Sequence, residues 1–180
     1  MNKRLIGLSA LVGALFAGLG MYTASSQATP DSPQANAVKQ LMSKTLPDSG
    51  GKQQALTQWK NKLLVVNFWA TWCAPCVQEM PELSALQQEM AGKSVQILGL
   101  GIDSPSNIAE FSKKYQIHYP LFVTGMDGSE LSRQMGNQAG GLPFTVLITA
   151  DGRVAKSYLG RLKMDELRAD IAKFSAEKPK

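Results

Sequence analysis

Two cysteines, Cys73 and Cys76, are the only thiols in the chain, and they stand together in Trp72-Cys73-Ala74-Pro75-Cys76. Sulfurs at this spacing can close and open a small disulfide ring while the rest of the chain stays in place. In such exchange the attacking species is a thiolate, not a thiol. A helix N-terminus favours that anion through its unpaired N–H groups and the positive end of its dipole. The sequence places Cys73 at such a point, between the apolar run Leu63–Trp69 and a stretch of helical character. A purely structural staple explains the pair less well, because so short a loop removes little entropy from the unfolded chain. The pair therefore reads as a redox site.

The elements around it can be read from periodicity. Residues 63–69 are apolar apart from Asn67, the pattern of a central strand covered on both faces. Pro75 falls where a first helical turn tolerates proline. Val77, Met80, Leu83, Leu86 and Met90 then recur at helical spacing, with a kink expected at Pro81 and an end at Gly92. Residues 95–102 give a second buried strand, and Asp103-Ser104-Pro105 caps a helix reaching Tyr115. A third strand is expected at 118–123 and a helix at 128–135. Residues 144–149 and 153–159 form a hairpin, and 165–174 a closing amphipathic helix with Leu167, Ile171 and Phe174 inward. This succession predicts an α/β fold with a mixed central sheet flanked by helices.

At 180 residues, with 44% apolar composition, the chain can bury one ordinary core behind an N-terminal extension. Asn2-Lys3-Arg4, an apolar stretch over residues 5–22 and the small-x-small pattern Ser26-Gln27-Ala28 read as a signal peptide spanning 1–28. The alternative is an uncleaved membrane anchor formed by residues 5–22. Both put the domain outside the cytoplasm, in a periplasmic setting. Residues 29–45 read as a spacer ending in a short helix at 35–45, and 46–176 as the domain. The net charge of +5 falls to +3 once Lys3 and Arg4 leave with the leader, and the bases are scattered. Nucleic-acid binding gains no support from that pattern.

The stretch from Asn67 to Leu83, with Trp72-Cys73-Ala74-Pro75-Cys76 and Glu79 inside it, resembles the thioredoxin superfamily. Within that superfamily the chain is most similar to TlpA/ResA-like exported thiol–disulfide oxidoreductases. The resemblance implies a thioredoxin fold with an insertion after the first βαβ unit, here the material between Ile102 and Gly141. Thioredoxins proper carry a buried aspartate where this chain has Asn67. The TlpA/ResA branch is similar in placing a glutamate where Glu79 stands, one helical turn after Cys76. Two readings of Glu79 follow, a proton relay for Cys76 or a charge favoured by the helix dipole. The relay is preferred, since a buried thiol needs a base to deprotonate it. Gly140-Gly141-Leu142-Pro143 matches the family's cis-proline loop, which implies a substrate groove made by Trp72, Ala74, Pro75, Leu142 and Pro143.

The resemblance further implies Cys73 as the more exposed nucleophile and Cys76 as the resolving thiol, the two forming a redox disulfide without metal or cofactor. The Ala-Pro dipeptide resembles reducing members of the superfamily more than oxidants. Implied partners are disulfide-containing client proteins, among them those of cytochrome c maturation, and a membrane thiol transporter of the DsbD or CcdA kind as electron donor. A monomer is expected. Two other readings compete. A thiol peroxidase shares the fold but sets its attacking cysteine in a different motif. A copper-handling protein needs wider cysteine spacing and a nearby histidine, and the only histidine is His118.

Overall fold

The computed structural model describes residues 32–176, so the expected signal peptide or anchor lies outside the described residues. The chain opens with helix α1 (Pro33–Met42), then a small antiparallel hairpin of β1 (Thr45–Pro47) and β2 (Gln53–Ala55) and a 3-10 turn at Leu56–Trp59. The main body follows as β3 (Leu63–Trp69), α2 (Ala74–Glu89), β4 (Val95–Gly101), α3 (Pro105–Tyr115), β5 (Leu121–Val123), α4 (Gly125–Gln134), β6 (Phe144–Ile148), β7 (Val154–Leu159) and α5 (Met164–Ala176).

The five-stranded sheet has the order β5-β4-β3-β6-β7. Strands β3, β4 and β5 run parallel, while β6 is antiparallel to both β3 and β7. This is the mixed α/β thioredoxin-like fold expected. All seven residues of β3 are buried, as the unbroken apolar run requires of a central strand. Val65 and Trp69 pack with residues of α2, α3 and α5 on one face. Val66 and Phe68 pack with residues of α1 and α4 on the other. Gly99 of β4 stands in register with Asn67. A side chain there would collide with Leu121 and crowd the Trp69 indole, so the closeness of these groups depends on glycine.

Several boundaries move. The helix expected at 35–45 begins at Pro33, because the Ser32 hydroxyl caps it by accepting the Ala35 N–H at 3.1 Å. Its residues Ala37, Val38 and Leu41 are buried, so 33–42 belongs to the packed body rather than to a spacer. Residues 48–52 form the loop of the β1–β2 hairpin, held by Asp48, whose carboxylate accepts the N–H groups of Gly50 and Lys52. The strand expected at 118–123 shortens to Leu121–Val123, and α4 starts three residues early. Helix α2 runs unbroken through Pro81, which lies on its exposed side, where the carbonyl that loses its donor can meet water.

At the end of the sheet where β3 begins and β6 ends, a cavity of about 480 Å³ is lined by Ser32, Val38, Leu64, Ile148 and Gly152 among others. The cysteines lie at the opposite end. Among the described residues no helix is long and apolar enough to cross a membrane. Leu41→Ala should cost about 2–5 kcal/mol in urea unfolding, the range for truncating a buried leucine. A spacer residue would cost almost nothing.

Candidate functional site

Strand β3 ends at Trp69, and a short loop carries the chain to Cys73, the N-cap residue of α2. Its backbone is extended, and its sulfur accepts the Cys76 N–H at 3.3 Å. A sulfur thus occupies the place that a serine or aspartate oxygen usually takes in capping a helix. Cys73 and Cys76 are joined as a disulfide, with Cα atoms 5.3 Å apart. Both are buried, Cys76 completely and Cys73 slightly less. Trp72 beside them is 71% exposed, whereas Trp69 is a core residue. The loop is anchored from the side, because the Asp103 carboxylate after β4 accepts both the N–H and the hydroxyl of Thr71, at 3.1 and 2.5 Å.

Glu79 is fully buried on the face of α2 that carries Cys76. Its Oε1 accepts from Asn67 Nδ2 at 2.8 Å and its Oε2 from the Leu162 N–H at 2.9 Å. Asn67 also donates to Thr145 Oγ1 at 3.0 Å, across the β3–β6 ladder where the two residues are in register. Burial pushes the Glu79 carboxyl up from the ordinary 4.5 to about 7, although Leu162 and Asn67 pull it back down. A solvated charge at a helix start would not sit there. The charge of Glu79 also reaches Tyr119, whose buried hydroxyl is pushed well above its usual range, first by burial and then by that carboxylate.

The Leu142–Pro143 peptide bond is cis, as the resemblance implied. The Pro143 carbonyl accepts the Gly160 N–H at 2.8 Å, tying this loop to the end of β7. It lies at the end of the sheet where β3 delivers the cysteines, since β6 runs antiparallel to β3 and begins there. His118 precedes β5 at the other end, exposed, with its N–H on Ser84 Oγ. Among the described residues no group of three or more His, Cys, Asp and Glu side chains is placed to hold a metal.

Thr145 and the Leu162 N–H escaped sequence reasoning. Thr145 is the one polar residue in Phe144–Ile148, a signal that could have been read, but only the β3–β6 register tells which buried group it meets. Nothing local marks the Leu162 amide as a partner of Glu79, 83 residues away.

These features define a thioredoxin-fold protein with one redox-active cysteine pair. A redoxin family profile matches residues 25–173, and the chain belongs to that family. The chain is 31% identical over 129 residues to the thiol-disulfide oxidoreductase ResA of Bacillus thuringiensis subsp. konkukian, covering 71% of this chain and 72% of that one. It is 26% identical over 177 residues to ResA of Bacillus cereus, covering 97% and 99%. Its fold is similar to a secreted thiol-disulfide isomerase from Corynebacterium glutamicum, with a TM-score of 0.66 at 23% identity, covering 76% of this chain and 86% of that one. The protein is a TlpA/ResA-like thiol–disulfide oxidoreductase of the thioredoxin superfamily.

The Glu79 shift carries a sign. A carboxyl raised on folding favours the fold below its unfolded value, and that contribution is lost as the pH rises through the folded one. Oxidised Glu79→Gln should therefore gain on the parent by up to about 3 kcal/mol between pH 4.5 and 8, with most of the change complete just above pH 7, in urea unfolding. A constant difference across that range would refute the shift.

Proposed function

We propose that this oxidoreductase is an extracytoplasmic reductase of protein disulfides. In its reduced form the Cys73 thiolate attacks one sulfur of a client disulfide. The Cys73–client bond forms, the client's own bond breaks, and one client thiolate leaves. Cys76 then gives its proton to Glu79. Its sulfur attacks Cys73, closing the Cys73–Cys76 bond and releasing the second client thiolate. Two electrons pass from the pair to the client, and a dithiol donor must return them. A membrane thiol transporter of the DsbD or CcdA kind fits that need outside the cytoplasm.

The observation that carries this reading is a buried acid titrating near neutrality one helical turn from the buried sulfur. An acid matched to the working pH is what proton transfer at Cys76 requires. The capped sulfur of Cys73 supports its part as nucleophile, since N–H groups at the helix start stabilise the anion. Trp72, Ala74, Pro75, Leu142 and Pro143 are assigned to the client groove, with the domain acting as a monomer. Cytochrome c maturation supplies one class of client, because haem attachment needs reduced cysteine pairs. The apolar leader over residues 5–22 supports export and a periplasmic address.

Insulin reduction driven by dithiothreitol should vanish in Cys73→Ser. Glu79→Gln should slow it about tenfold or more, and remove the rate's dependence on pH around 7. Retained activity without Cys73 would sink the scheme, and an unchanged pH profile in Glu79→Gln would remove the relay. Equilibration of the pair with glutathione should give a potential near the roughly −270 mV of thioredoxin. A value near the roughly −120 mV of DsbA would reverse the direction of electron flow.

A further inference from the structure

The cavity at the foot of the sheet lies at the opposite end from the cysteines, and disulfide exchange makes no use of it. Its volume of about 480 Å³ falls within the roughly 300–1,000 Å³ of small-molecule sites. Val38 of α1, Trp59 of the 3-10 turn, Leu64 of β3 and Ile148 of β6, all buried, give it an apolar floor. Charge around it is one-sided. Lys39, Lys60, Lys62 and Arg153 line it against a single acid, Asp151.

That acid is already engaged, because its carboxylate accepts the Thr149 hydroxyl and lies close to Arg153. The Lys60 and Lys62 ammonium groups make no ion pair or hydrogen bond among the described residues. Asn61 between them has left-handed backbone, with φ at 67°, a conformation asparagine tolerates better than most residues. The tight turn this allows leaves a lysine on each side of it against the cavity. A molecule matching such a place has an apolar body and an anionic head.

The path of the chain narrows the choice of occupant. Ser32 lines the same cavity, and the apolar stretch ahead of it ends at Tyr22. Residues 23–31 lie between, and fully extended they span at most about 30 Å. While a leader inserted through residues 5–22 is attached, the foot of the sheet therefore stays near the bilayer surface. Lipids are then the amphiphiles at the highest local concentration.

We infer that the cavity takes one acyl chain of an anionic phospholipid from that bilayer, with the phosphate held between Lys60 and Lys62. The lipid's second chain stays among its neighbours, and the domain rests on the membrane by its foot. Each cation at such a surface strengthens attraction to anionic lipid about fivefold. The apolar floor shields the inserted chain from water. This inference rests on the extracytoplasmic leader proposed above and is independent of the thiol chemistry.

The test uses full-length protein bound to phosphatidylcholine vesicles that carry a minor fraction of phosphatidylglycerol brominated on its acyl chains. Bromine quenches an indole only at contact, and the emission lost in Trp59→Phe identifies the signal of Trp59. That signal should fall at least about twofold further than when phosphatidylcholine carries the bromines instead. Lys60→Ala with Lys62→Ala should raise the brominated phosphatidylglycerol needed for half-quenching about tenfold or more, while insulin reduction stays at the parental rate. Lys163→Ala, at the redox end, should leave the quenching unchanged. Equal quenching by the two brominated lipids, or quenching that survives loss of both lysines, would overturn the site. Equally strong quenching by brominated stearic acid in neutral vesicles would overturn it too, making the ligand a free fatty acid. Failure to float with any vesicle would overturn the site together with the leader. Flotation without quenching of Trp59 would overturn the site alone.

Discussion

The site depends on one sulfur standing where a helix begins. Cys73 replaces the oxygen of an ordinary N-cap residue, so the start of α2 is satisfied by a sulfur of the redox pair. That placement requires the end of β3 to be fixed. A strand buried along its whole length, paired on both edges and packed on both faces, cannot slip by a residue without turning its core side chains around. The Asp103 carboxylate then holds Thr71, removing the remaining freedom between strand and helix. The position of the Cys73 sulfur is thus a property of the sheet as much as of the motif.

The buried carboxylate is the complementary feature. Placing Glu79 in the core costs the fold free energy whenever the group is charged, and two donors reduce that cost without cancelling it. Asn67 is central here. As an amide it can donate to Glu79 and Thr145 together, which an ionised aspartate at the same position could not. The acid therefore resides on the helix, in the same element as the cysteines, and the strand supplies its partner. A structure tuned only for stability would have little reason to keep an acid there, which is why perturbed buried groups cluster at working sites.

Much of this was legible in the chain. The unbroken apolar run of Leu63–Trp69, the Ser104 cap of α3 and the hairpin around Gly152 each follow from local chemistry, and the structure agrees with them. The cysteine motif, Asn67 and Glu79 were visible because their spacing is local. The illegible parts are those set by distant partners. Residues 29–45 look polar and carry Pro30 and Pro33, yet Ala37, Val38 and Leu41 find a surface made by the 3-10 turn and α4. The Leu162 amide meets Glu79 only once α5 and its preceding loop have folded back across α2. The stretch at 118–120 reads as strand from its composition, but the pairing with β4 begins only at Leu121.

The cavity lined by Ser32, Leu64 and Ile148 sets the first turn of α1 beside the start of β3. Ser32 sits at the foot of β3 and the sulfurs lie beyond its head, roughly 20 Å away along a seven-residue strand. A leash attached ahead of Ser32 would thus hold the molecule by its base and leave the reactive crown facing outward. Partners could then approach without passing the point of attachment.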